Sequence, residues 1–121
     1  MNARHALAAG CVVLGACATL IPAGEAELAA GIRVYERGRV ADAASYLQRS
    51  LDLGLRESDQ VVAHKYLAFI HCASAREALC RDEFRLALAL NPSFSLNAAE
   101  AGHPTWGPVF RSLKNGPDPR R

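Results

Sequence analysis

The stretch Gly31–Gly54, "GIRVYERGRVADAASYLQRSLDLG", decides the fold because a second version of it follows at Ala68–Pro92, "AFIHCASAREALCRDEFRLALALNP". With an offset of 37 residues, Gly31 falls on Ala68, Tyr35 on Cys72, Gly38 on Ala75 and Val40 on Glu77. Ala43 then falls on Cys80, Leu47 on Phe84 and Leu51 on Leu88. At most of these places small residues match small ones and large apolar residues match large ones. A constant offset with matched side-chain size signals an internal repeat, here a unit of about 34 residues with three extra in the linker.

Working outward, each copy reads as a pair of helices. Glu25 to Arg37 places Leu28, Ile32 and Tyr35 at helical spacing, and Gly38 breaks the run. Val40 to Leu53 sets Val40, Ala43, Ala44, Leu47 and Leu51 on one side, with Gly54 where a helix-ending glycine belongs. After the linker "LRES", Ser58 and Asp59 open a third helix that carries Val62, Tyr66, Leu67, Phe69 and Ile70 as far as Cys72. Ser74 followed by Glu77 reads as a capping box for a fourth helix, which runs through Cys80, Phe84, Ala87 and Leu88 to Asn91-Pro92. No segment alternates with period two for long enough to make a strand. The expectation is an all-α chain of two antiparallel hairpins, 25–54 and 58–92. Residues 93–114 offer Phe94, Leu96, Trp106, Val109 and Phe110 as anchors, with Pro108 placed to start a short helix. This extension is expected to cap the apolar end of the two-unit stack. The tail 115–121, "NGPDPRR", reads as disordered.

The spacing of small and large residues resembles the tetratricopeptide repeat over Glu25 to Pro92. Gly31, Ala43, Ala68 and Cys80 sit where that motif needs small side chains between close helices, and Pro92 falls at its closing proline. The resemblance implies that the first helix of each pair lines a groove for a partner's peptide or helix. The corresponding residues are Ile32, Tyr35 and Glu36, then Lys65, Tyr66 and Phe69. Aromatic rings with flanking charges suit peptide binding. For Tyr66 and Phe69 a core role between the repeats is an equal alternative. The family's lysine and asparagine clamp for a terminal carboxylate does not appear.

The N-terminus suggests a compartment. Met1 to His5 carries Arg4 and no acid, and Ala6 to Ala16 is small and apolar, as in a secretory signal. "LGAC", Leu14 to Cys17, resembles a bacterial lipobox. That implies cleavage after residue 16, a lipid on Cys17, and a short tether over 17–24. An ordinary cleaved signal and an uncleaved anchor are the alternatives. Ala18 after the cysteine implies delivery to the outer membrane, by resemblance to known sorting rules. The chain carries a net charge of +2, one unit of which leaves with Arg4, and no basic block. That argues against nucleic acid, whose binding depends on phosphate neutralisation.

In this setting Cys72 and Cys80 are expected to form a disulfide across the second hairpin, in an oxidising compartment. Closing so short a loop would stabilise the fold by roughly 2.6 kcal/mol in the chain-entropy model. Two buried thiols are the alternative. The cysteine spacing does not suit zinc, and His64, His71 and His103 read as packing or surface residues, so no metal or cofactor is expected. His103 is placed to stack on Trp106, to cap a carbonyl, or to pair with Glu100. Without a nucleophile in a convincing setting or a phosphate loop, no enzyme is expected. The likeness to small tetratricopeptide lipoproteins of envelope machines implies an adaptor role, with type VI secretion the nearest comparison. A pilotin, an outer-membrane assembly factor, and a periplasmic redox switch using Cys72 and Cys80 are the alternatives.

Overall fold

The computed structural model describes Gly10 and residues 20–116. Residues 1–9, 11–19 and 117–121 lie outside the described residues, and with them Cys17, most of the expected signal segment and most of the expected disordered tail. Among the described residues the chain is all helical: α1 Glu25–Glu36, α2 Val40–Leu53, α3 Glu57–Ala73, α4 Glu77–Leu90, α5 Ala98–Ala101 and α6 Gly107–Lys114. The expected hairpins are α1 with α2 and α3 with α4. α3 lies against both α1 and α2, and α6 lies against α4.

The internal repeat extends to the backbone. In the first hairpin turn Gly38 N–H donates to Tyr35 O and Arg39 N–H to Val34 O. In the second, Ala75 N–H donates to Cys72 O and Arg76 N–H to His71 O, at the same offset. Both turns need one left-handed residue, with φ +79° at Gly38 and +58° at Ala75. The buried faces also correspond: Ala43 with Cys80, Leu47 with Phe84, and Ser50 with Ala87 are all fully buried.

This turn geometry corrects one expectation. Ser74 does not cap α4. Helix α3 continues to Ala73, so Ser74 is its C-cap, and its hydroxyl donates to Ile70 O at 2.8 Å. Arg76 holds the N-cap of α4 without a side-chain hydrogen bond, and Glu77 instead accepts from Arg81. The three-residue turn set by Ala75 leaves Ser74 on the wrong side of the reversal. A true capping box occurs later, where Glu100 N–H donates to Asn97 Oδ1 and Asn97 N–H to Glu100 Oε1.

Two apolar clusters form the core. Leu28, Ala43, Leu47, Leu55, Ala63, Leu67 and Ile70 join α1, α2 and α3. Ala68, Phe69, Cys72, Cys80, Phe84, Leu96, Val109 and Phe110 join α3, α4 and the C-terminal extension. Tyr35 and Tyr66 pack against both clusters. The extension caps α4 as expected, with Phe110 edge-on to Phe84 at 5.1 Å and to Phe94 at 5.5 Å. Pro108 lies in the first turn of α6, where its missing N–H costs nothing. At the other end of the first hairpin, Gly24 N–H donates to Gly54 O at 2.9 Å. The chain therefore enters the domain beside the end of α2, away from the hairpin turns.

Candidate functional site

The residues expected to line a groove come from α1 and α3, which lie side by side. Helical spacing puts Ile32, Tyr35 and Glu36 on one face of α1, and Lys65, Tyr66 and Phe69 on one face of α3. The structure brings the aromatic members together. Tyr35 meets Tyr66 edge-on at 5.1 Å, and Tyr66 meets Phe69 edge-on at 5.9 Å. Ile32, Tyr35 and Tyr66 are part-buried, and Glu36 is exposed. Burial pushes the Tyr35 phenol above its ordinary pKa, and the nearby Tyr66 and Glu100 push it the same way.

Lys65 and Phe69 are not open groove residues. Phe69 is 2% exposed, because Trp106 stacks on it at 4.4 Å with an interplanar angle of 22°. Lys65 Nζ pairs with Glu100 Oε2 at 2.9 Å, and both side chains are only 17% exposed. The ammonium also lies over the Tyr66 ring at 4.9 Å and the Phe69 ring at 5.8 Å. Both residues are covered by the C-terminal extension, which reaches past α4 onto the α3 face. Sequence reasoning placed that extension on the end of the stack and missed this second role.

One carboxylate ties the arrangement together. Glu100 closes its own helical turn with Oε1 and grips Lys65 with Oε2. Its backbone carbonyl accepts the Trp106 indole N–H at 2.9 Å. His103 also stacks on Trp106, at 3.4 Å and 5°, and its Nδ1 accepts from Thr105 N–H. The stack was one of the arrangements expected for His103. The pairing of His103 with Glu100 is not formed, because Lys65 takes that carboxylate. Two signals pointed here: the N-x-x-E pattern at Asn97–Glu100, and the chain's single tryptophan beside a histidine.

The other site residues are quickly placed. Cys72 and Cys80 are bonded across α3 and α4 with their Cα atoms 5.2 Å apart. Both sulfurs lie in the core, at residues 6% and 0% exposed. His64 Nδ1 contacts Glu83 Oε2 at 2.6 Å across the same pair of helices. Burial holds His71 below the usual histidine pKa; Glu83 opposes that shift and Arg76 adds to it. Among the described residues no three His, Cys, Asp or Glu side chains are grouped to hold a metal. No described helix is long and apolar enough to cross a membrane.

Comparison with known proteins gave no match, whether to a family model, a curated protein or a solved structure.

Proposed function

We propose that this chain is a non-enzymatic adaptor of the bacterial cell envelope, tethered by a lipid on Cys17 and binding a protein partner through the face of α1 and α3. The observation that carries the reading is the Tyr35–Tyr66 pair. Its two rings are part-buried on a surface flanked by the exposed Glu36 and the Lys65–Glu100 ion pair. Rigid aromatic rings rimmed by charge give large contact area at small entropic cost, as interface anchors do. The tetratricopeptide likeness favours the same face, and the lipobox likeness favours the outer membrane. Together they suggest an accessory of an envelope-spanning machine of the type VI kind, with a pilotin or assembly factor as the related alternative. Burial of both sulfurs favours a structural staple over a redox switch, since thiol exchange needs access to a sulfur.

The test uses Glu36→Lys and Tyr35→Ala in full-length, membrane-bound protein. Exposed charges contribute little to folding but steer association, so Glu36→Lys should leave the melting curve unchanged and cut partner capture at least ten-fold. Tyr35→Ala should weaken capture further, with some loss of stability because the ring also touches both core clusters. Unchanged co-purifying partners in both variants would remove the α1–α3 face as the binding surface.

A further inference from the structure

Residues 97–106 cross the α3 face as a strap. Buried residues fix it at both ends: Leu96 before it, and Gly107 with Val109 after it. Helix α5, within the strap, buries no residue of its own. A Cβ on Gly107 would sit 2.3 Å from Ala101 O, so the chain closes tightly where the strap ends. Gly107 N–H and Arg111 tie the strap to α6 through His103 O and Ala101 O. Among the described residues no backbone hydrogen bond joins it to α3, which it meets through the side chains of Glu100 and Trp106.

Beneath it lies a site with defined chemistry. The Lys65 ammonium is largely withdrawn from water over two aromatic faces, so it requires a carboxylate partner. Phe69 is backed edge-on by Phe84 and offers a flat face, which Trp106 covers almost in parallel. A flat aromatic ring meets that geometry, whereas an aliphatic side chain would forfeit the stacking. We propose that Lys65 and Phe69 form a recognition site for a protein segment that carries a carboxylate and, within about two helical turns of chain, a large aromatic ring. Glu100 and Trp106 fill this site in cis until such a segment replaces them. The proposal rests on the α1–α3 face being the partner face, and adds what the partner must present there. Occupancy in cis acts at millimolar effective concentration, so an isolated segment competes poorly with the strap in place.

The probe is a fluorescein-labelled peptide of the strap's own sequence, "NAAEAGHPTWG", followed by anisotropy with the full chain. Trp106→Ala should open the site and bind the peptide at least ten-fold more tightly than wild type. Glu100→Lys, which repels Lys65 but keeps every apolar contact, should do the same. Adding Lys65→Glu to Trp106→Ala should abolish binding, as should replacing the peptide's glutamate by glutamine and its tryptophan by leucine. Equal affinity for wild type and both variants, or no binding to either, overturns the proposal. Loss of helix content in both variants also overturns it, because the strap would then be part of the core. If the peptide fails to bind while Glu36→Lys still abolishes partner capture, the strap site falls and the adaptor reading stands. The converse result removes the partner role and keeps the site.

Discussion

At the scale of single residues, the two hairpin turns are a matched pair filled differently. Gly38 adopts φ +79° at no steric cost, while Ala75 holds φ +58° against its own Cβ. A Cβ at Gly38 would meet nothing within 4 Å, so only the backbone conformation resists substitution. The left-handed conformation costs an L-residue about 1–2 kcal/mol, and alanine recovers roughly 0.4–1 by restricting the unfolded chain. Gly38→Ala should therefore lose about 1 kcal/mol in urea denaturation, and Ala75→Gly, the reverse change at the matching turn, should gain a similar amount. Equal losses for both would mean that the turns are not equivalent. The conformation of Ala75 was readable from its alignment with Gly38. The Ser74 capping pattern masked it, because a local hydrogen-bond motif was read without the turn that places it.

At the scale of elements, the four long helices were legible because helical periodicity and the repeat offset agree. In the first hairpin the small Gly31 of α1 admits Leu47 and Tyr46 of α2 at close range. The disulfide was legible too, since Cys72 lies near the end of α3 and Cys80 in the antiparallel α4 that follows a short turn. It should act as a staple. Cys80→Ala keeps a small side chain at a fully buried position and removes only the crosslink and one sulfur. Loss of loop closure should cost roughly 2.6 kcal/mol, a large share of the stability of a domain this small. Chemically reduced wild type should show a similar loss in urea denaturation. A change under about 0.5 kcal/mol in both would mean that the crosslink leaves the unfolded ensemble unconstrained. The second role of the extension was not legible. Its anchor Phe110 packs on Phe84 of α4, and nothing in periodicity says that the chain before it crosses α3. Only the pairing of Lys65 with Glu100 and of Phe69 with Trp106 reveals it.

At the scale of the whole molecule, two repeat units fall short of the usual three, and the C-terminal extension makes good the difference. It seals α4 with Phe110 and covers Phe69 with Trp106. The Lys65–Glu100 pair adds stabilisation between the ~1 kcal/mol of an exposed ion pair and the ~3 of a charged hydrogen bond. This leaves Tyr35, Tyr66 and Glu36 as the open part of the α1–α3 face, bounded on one side by the strap. The opposite face, across α2 and α3, has a shallow cleft of about 400 Å³ edged by Ser45, Gln48 and His71. In the proposed function the partner uses the first face and not the second. Site-specific photocrosslinking in intact cells tests this most directly, with the crosslinker placed at position 35 in one strain and at position 45 in another. A discrete partner adduct is expected from position 35 and none from position 45, whereas an adduct from position 45 alone would contradict binding at the α1–α3 face.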